Sequence, residues 1–195
     1  MTNVYFVRHA QPNYDNHDDN LRELSAKGME DRLLVTSYFS NIPVNAVLSS
    51  PFKRAVDTVK DFADKKGLEI ETIDDFRERK VNSEWIEDFN FFSKRQWQDF
   101  QYKLSDGECL EEVMGRNVHA LFDVLHDYEG QTVVVGSHGT ALSTIIHNFC
   151  DEFAFEQFQE IKGLMPWCVH FVFEGVKCLR IENYDFFTGN TKIIM

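Results

Sequence analysis

Val4-Tyr5-Phe6-Val7-Arg8-His9 stands near the start of this chain, and Thr132-Val133-Val134-Val135-Gly136-Ser137-His138-Gly139 lies about two-thirds of the way along it. Both hold a short apolar run rich in β-branched or aromatic residues, as expected of strands covered on both faces. Both runs then deliver a histidine. In open α/β sheets, ligands bind beyond the carboxyl ends of the strands, so the pattern predicts two imidazoles at the ligand-binding edge. One imidazole can attack a phosphoryl group while the other stabilises that group as it transfers.

The flanking segments fit the same architecture. Residues 10–24 are polar, with Pro12, Asn13, Asp15, Asn16 and Asp18, and read as a loop. Ser25 reads as the N-cap of a helix to about Phe39, with Met29, Leu33, Leu34 and Phe39 turned inward. Ala46-Val47-Leu48 is a short strand, and Ser49-Ser50-Pro51 leads into a helix carrying Ala55, Val56, Val59 and Phe62. Residues 68–73 alternate as a third strand. After Gly107-Glu108, the residues Leu110, Val113, Met114, Val118, Leu121, Phe122 and Leu125 mark one face of a long helix that Gly130 stops. A further helix is expected over about 140–148, and a hairpin over 168–173 and 177–182 around Glu174-Gly175. Strands alternating with helices predict an α/β fold: a three-layer α/β/α sandwich with a mostly parallel central sheet. Residues 1–195 are expected to form a single domain.

Residues 74–105 interrupt this alternation. They mix many charges with Phe76, Trp85, Phe89, Phe91, Phe92, Trp97, Phe100 and Tyr102. One or two short helices forming a small cap insertion over the sheet edge are expected. Its aromatics either line a pocket beneath the cap or pack on the core, since both placements bury large rings.

Composition narrows the function. The 195 residues are 43% hydrophobic and 27% charged, which suits a domain with its own apolar core. A net charge of −12 argues against nonspecific nucleic-acid binding and against docking on anionic lipid. It also means that a phosphate site needs a local basic pocket. Cys109, Cys150, Cys168 and Cys178 form no C-x-x-C pair, and no His or Cys cluster has zinc spacing. No metal and no cofactor are therefore expected, and the thiols read as reduced. The chain begins without a basic, apolar leader, and no stretch approaches the roughly 18 apolar residues of a membrane span. A cytoplasmic protein is the expectation.

Four places carry chemistry. Arg8 offers a planar fork for phosphate oxygens beside the imidazole of His9. Arg54 falls in the first turn of a helix, a poor place for a cation unless an anion sits there too. Ser137-His138-Gly139 ends a buried strand with small neighbours that let backbone approach a ligand, and the Gly139 and Thr140 N–H groups are potential donors. Glu78, between Arg77 and Arg79, is a carboxyl that could protonate a leaving oxygen. Taken singly, each also reads as an ordinary surface or strand-end residue.

Together and in this order they resemble the histidine phosphatase superfamily, also called the phosphoglycerate mutase-like family, on its phosphatase side. The family's R-H-G opening stands here as Arg8-His9-Ala10. Its S-x-x-R-A-x-x-T element corresponds to Ser50, Arg54, Ala55 and Thr58. Its G-E-S element corresponds to Gly107-Glu108-Cys109, and its S-H-G element to Ser137-His138-Gly139. The resemblance covers roughly residues 3–145. It implies His9 as the phosphorylated nucleophile, with Arg8, Arg54 and His138 completing a phosphate pocket. Asn13, Ser50 and Gly139 lie nearby, and Glu78 falls where the family places its proton donor. Cationic side chains then do the work of a metal ion.

Two departures stand out. Ala10 replaces the usual glycine, and Lys80-Val81-Asn82-Ser83-Glu84-Trp85 lacks the glycines typical after the acid, so Glu84 and Glu108 remain alternative donors. The length leaves little room for the extra segments with which mutases exclude water. The expected activity is therefore hydrolysis of a small phosphomonoester, with mutase-type transfer and non-catalytic phosphate binding as the alternatives. His17 is expected at the pocket rim. The hairpin edge leaves room for a homodimer. The natural substrate is not legible in these residues.

Overall fold

The computed structural model describes residues 1–83 and 86–195. Glu84 and Trp85, an alternative donor and an expected cap aromatic, lie outside the described residues. The chain runs β1 (Thr2–Arg8), α1 (Ala26–Phe39), β2 (Ala46–Ser49), α2 (Lys53–Lys66) and β3 (Ile70–Thr72). A 3-10 turn (Asp74–Phe76) and α3 (Phe89–Gln98) follow, then α4 (Leu110–Asp127), β4 (Thr132–Ser137) and α5 (Gly139–Phe149). The last elements are α6 (Phe155–Ile161), β5 (Trp167–Glu174), β6 (Lys177–Tyr184) and β7 (Thr191–Ile193).

The strands form one seven-stranded sheet in the order β3-β2-β4-β1-β5-β6-β7. β3, β2, β4 and β1 are mutually parallel. β5, β6 and β7 continue the sheet antiparallel. The α/β fold is as expected, but the sheet is mixed, because the C-terminal third adds antiparallel strands joined by tight turns instead of helical crossovers.

Alternation along the central strands builds the three layers. Val4 and Phe6 of β1 and Val133 and Val135 of β4 pack with Leu110, Leu121, Leu142 and Ile145 of α4 and α5. Val7 and Val134 face the other way, toward Val35 and Phe39 of α1 and Val59 and Phe62 of α2. Both faces of the parallel strands are thus dry, which is why these segments read as continuous apolar runs.

Local differences have physical causes. Helix α1 buries Gly28, Val35 and Phe39, while Met29 and Leu33, expected inward, are 41% and 48% exposed. The buried face is set by close approach at Gly28, where an added Cβ would overlap the Gln11 carbonyl oxygen. Strand β3 is shorter than expected, because as an edge strand it pairs only through Ile70–Thr72. Of the cap aromatics, Phe76 is fully buried in the core, and Trp97 packs on Phe100, His147 and Phe158. Phe92 is buried and Phe91 is exposed. Helix α6 and strand β7 lie beyond what periodicity suggested. Among the described residues, no helix is long and apolar enough to cross a membrane.

The contact at Gly28 yields a stability test. Gly28→Ala should lower stability by about 1–3 kcal/mol through overpacking, read as a reduced urea midpoint with unchanged m. An unaltered midpoint would show that the loop after β1 yields freely.

Candidate active site

Register brings the chemistry together. Arg8 at the end of β1 lies opposite Ser137 at the end of β4, and Ser49 of β2 pairs with Gly136. Three parallel strands therefore end side by side, and the residues just past them are His9, Ser50 and His138. The His9 and His138 rings stand 5.3 Å apart between centroids, inclined at 64°.

His9 is held at both ends. Its backbone N–H donates to Ser137 O at 3.0 Å, and its Nδ1 lies 2.8 Å from Ala10 O. A carbonyl only accepts, so Nδ1 carries the proton and Nε2 keeps a free lone pair. Burial, then the charges of Arg54 and Arg8, hold the His9 imidazole well below its ordinary pKa. Ala10 is fully buried, and its N–H donates to Thr58 Oγ1 at 2.9 Å. Thr58 Oγ1 in turn donates to Arg54 O at 2.8 Å, so one hydroxyl ties the nucleophile loop to α2. No non-glycine residue among those described has a positive φ, so alanine at position 10 is unstrained.

His138 is wholly buried. Its Nε2 is 2.7 Å from Ser50 Oγ, which also accepts from Phe52 N–H at 3.2 Å. Nδ1 has no partner among the described residues. The Ser50 hydroxyl can donate to Nε2 or accept from it, so this contact fixes the orientation of the ring. Burial and the Arg54 charge keep this ring, too, well below the ordinary value. Ser50 thus orients His138, and neither residue reaches the cavity wall.

Two guanidiniums flank this pair. Arg54 is 3% exposed and lies over the Phe52 ring. Its Nη1 donates to Asp19 O at 2.6 Å, and its Nη2 stands 3.2 Å from Asp19 Oδ1. Arg8 Nη1 donates to the carbonyls of Ile161, Lys162 and Leu164 at 2.9, 3.0 and 3.2 Å. Those carbonyls lie at and just past the C-terminus of α6, where unpaired C=O groups and the helix dipole favour a cation. Burial pulls the Arg8 pKa down to about 10, opposed by the Glu78 charge, so it stays charged at neutral pH. Gly139 packs closely against this side chain: an added Cβ would lie 3.1 Å from the Arg8 guanidinium, which would have to shift by a few tenths of an ångström.

Glu78 sits at the N-terminus of α5. Its Oε2 accepts from Thr140 N–H at 3.0 Å, and its Oε1 accepts from Ala141 N–H at 3.1 Å and Arg79 N–H at 2.8 Å. The Thr140 donor anticipated for a ligand is therefore engaged by this carboxylate. Glu108 is bound instead by Arg116 at 2.8 and 2.9 Å and by Lys80 N–H at 2.9 Å. Burial alone would raise its carboxyl, but these donors hold it below the usual range; it is a structural ion-pair residue away from the cavity wall. The Asn13 side chain donates to Glu23 Oε1 at 2.7 Å and accepts from Asp15 N–H at 3.1 Å, which commits it to the loop and not to the cavity.

The cavity over this edge has a volume of about 1130 Å³. Arg8, His9, Arg54, Glu78 and Gly139 line it, His17 joins them as expected of a rim residue, and Phe89 is the cap aromatic on its wall. Sequence reasoning missed Asp19, Arg22 and Lys162, which also line it. Their only signal was charge in segments read as a polar loop and an unassigned stretch. Arginines 8, 22, 54, 77 and 79 with lysines 80 and 162 outnumber Asp19, Asp74 and Glu78 on the walls. The local basic pocket demanded by the chain's net charge of −12 is present.

Comparison with known proteins agrees with this geometry. Phosphoserine phosphatase 1 of Hydrogenobacter thermophilus is 28% identical over 155 residues, 71% of each chain. YhfR of Bacillus stearothermophilus superposes with a TM-score of 0.75 at 17% identity, over 92% of this chain and 95% of that one. The phosphoserine phosphatase of Entamoeba histolytica, solved with 3-phosphoglyceric acid, gives 0.74 at 18% identity, over 100% and 96%. These two structural likenesses speak for the fold. Residues 4–174 match the histidine phosphatase superfamily, branch 1. The chain belongs to that superfamily and is a phosphatase enzyme.

Proposed function

We propose that the protein hydrolyses a small phosphomonoester through a phosphohistidine on His9, without a metal ion. The observation that carries this reading is His9 itself: a neutral imidazole with Nδ1 pinned by Ala10 O, on the wall of a basic cavity beside His138, Arg8 and Arg54. Nε2 attacks phosphorus, and the bond to the ester oxygen breaks. Arg8 and Arg54 take up the charge on the equatorial oxygens, and His138 stands beside the nucleophile, its ring centroid 5.3 Å from that of His9. Glu78 protonates the departing alkoxide. Water then attacks the phosphohistidine, with Glu78 accepting its proton, and phosphate leaves. A protonated carboxyl keeps acceptor capacity, so Glu78 can hold a proton without abandoning all of its backbone partners.

Among the described residues, no group of three or more His, Cys, Asp and Glu side chains is placed to hold a metal ion. We read residues 1–195 as one domain, with 74–105 as the cap over the site. The four cysteines are free thiols, which suits a cytoplasmic setting. Phosphoserine, the substrate in the name of the Hydrogenobacter relative, belongs to the class of small polar monoesters this cavity admits.

The decisive experiment is turnover of p-nitrophenyl phosphate in EDTA by wild type and His9→Ala. Wild-type activity should persist under chelation and vanish in the variant, with the variant's circular dichroism unchanged. An active His9→Ala protein would sink the mechanism. Glu78→Gln should slow alkyl phosphates by about 10²-fold or more while sparing activated aryl esters; equal losses on both would assign the proton to another group. The pH profile is a third test. The His9 pKa lies below the ordinary 6.5, so the nucleophile stays unprotonated as the pH falls past that value. The acidic limb of kcat/KM should therefore lie below pH 6.5, and a limb centred at 6.5 or higher would contradict a buried, cation-flanked nucleophile.

A further inference from the structure

We propose that Arg22, in the loop after β1, is a third guanidinium acting on the transferring phosphoryl group, held in place together with Arg54 by the carboxylate of Asp19. The inference rests on reading the cavity as a phosphoryl-transfer site.

Three observations carry it. First, the two expected clamps are partly spent. Arg8 Nη1 is taken by three backbone carbonyls, and Arg54 already gives Nη1 and Nη2 to Asp19. A phosphoryl group presents three peripheral oxygens and a charge near −2, and a third guanidinium adds both donors and neutralising charge. Second, Arg22 lines the same cavity and converges with Arg54 on a single atom: its Nη1 is 3.1 Å from Asp19 Oδ1, and Arg54 Nη2 is 3.2 Å from that same oxygen. One carboxylate oxygen thus sets two guanidiniums side by side. The Arg22 charge is also among those bearing on His9 and on Arg54.

Third, the loop is built to fix this side chain. Arg22 Nε donates to Asn16 O at 2.7 Å, and its backbone N–H donates to Asp18 O at 2.8 Å. Glu23 accepts from Asn13 and Asn16 at 2.7 and 2.8 Å. Lys53 N–H, at the start of α2, donates to Asn20 O at 2.9 Å. Nε and Nη1 are anchored, so the Arg22 fork has a fixed orientation before any ligand arrives. A preorganised donor of this kind acts on charge that develops during transfer. Asp19, reaching the reacting group only through the two arginines, is a positioning residue.

The test uses Arg22→Ala, Arg22→Lys, Asp19→Ala and the double variant Arg22→Ala/Asp19→Ala. The readouts are calorimetric binding of tungstate and kcat/KM on p-nitrophenyl phosphate. Arg22→Ala should weaken tungstate binding by at least about tenfold and lower kcat/KM by about 10²-fold, with Arg22→Lys recovering part of both. In the Asp19→Ala background, Arg22→Ala should still cost about tenfold in tungstate affinity, because the guanidinium acts on the anion directly. A change under about twofold in that background would overturn the proposal, reducing Arg22 to a support for Asp19. Loss of thermal stability with unchanged tungstate affinity would overturn it equally, as would a wild type that binds no tungstate. A wild type that binds tungstate tightly but turns nothing over would defeat the phosphatase reading alone, and the binding comparison would still decide the role of Arg22.

Discussion

Parallel pairing of β1 with β4 in a single register, Arg8 opposite Ser137, is the constraint on which the site depends. Side chains alternate with period two along a strand, so a slip of one residue would exchange the faces of every side chain in β1. Here such a slip would drive Val4 and Phe6 out of one hydrophobic layer and Val7 out of the other. The register that buries those residues is also the register that sets His9 beside His138. The dry packing of both layers therefore fixes the separation of the two imidazoles, with no hydrogen bond between their rings.

The second organising influence is charge. The chain is strongly acidic as a whole, yet its cavity is lined mainly by arginine and lysine. Long-range attraction does little for a phosphorylated ligand; binding relies on short-range contacts in a partly desolvated pocket, where each is stronger than in water. The N-terminus of α5, a ready anion site in itself, is given to the Glu78 carboxylate. The helix thus holds the Glu78 carboxylate, and the guanidiniums on the cavity wall are left for an anionic ligand in the proposed mechanism. Burial keeps His9 and His138 neutral, so cationic neighbours and a neutral nucleophile coexist within a few ångströms.

Much of this could be read in the residues alone, for identifiable reasons. Strands buried on both faces leave continuous apolar runs, which made β1 and β4 plain, and the motif residues that follow β1, β2 and β4 are why His9, Arg54 and His138 could be expected at one sheet edge. The inward face of α1 was misjudged because Gly28 contributes backbone proximity, which hydrophobic periodicity does not register. Asn13 looked like a ligand contact because it follows the nucleophile closely. In the fold its amide is spent on Glu23 and Asp15, while Arg22, nine residues further on, reaches the cavity instead. Side-chain direction in a polar loop depends on hydrogen bonds among its own members, and no periodic signal carries that information. The cap aromatics were ambiguous because burial against the core and burial around a ligand place the same demand on composition. The structure gives Phe76, Trp97 and Phe100 to the core, leaves Phe91 exposed and sets Phe89 on the cavity wall.

The clamp on Arg8 also bears on the order in which the cavity is assembled. Arg8 is anchored to Ile161 across 153 positions of sequence, and β1 acquires its second neighbour only with Trp167–Glu174. Strand β1 is synthesised well before the carbonyls that orient its Arg8. Contacts of such long sequence separation form late, because a large loop must close before they contribute. A nascent chain that has made β1, β2 and β4 holds its histidines on an unfinished sheet, without a fixed guanidinium beside them. The surroundings of Arg8 are therefore complete only once α6 and the segment after it have docked.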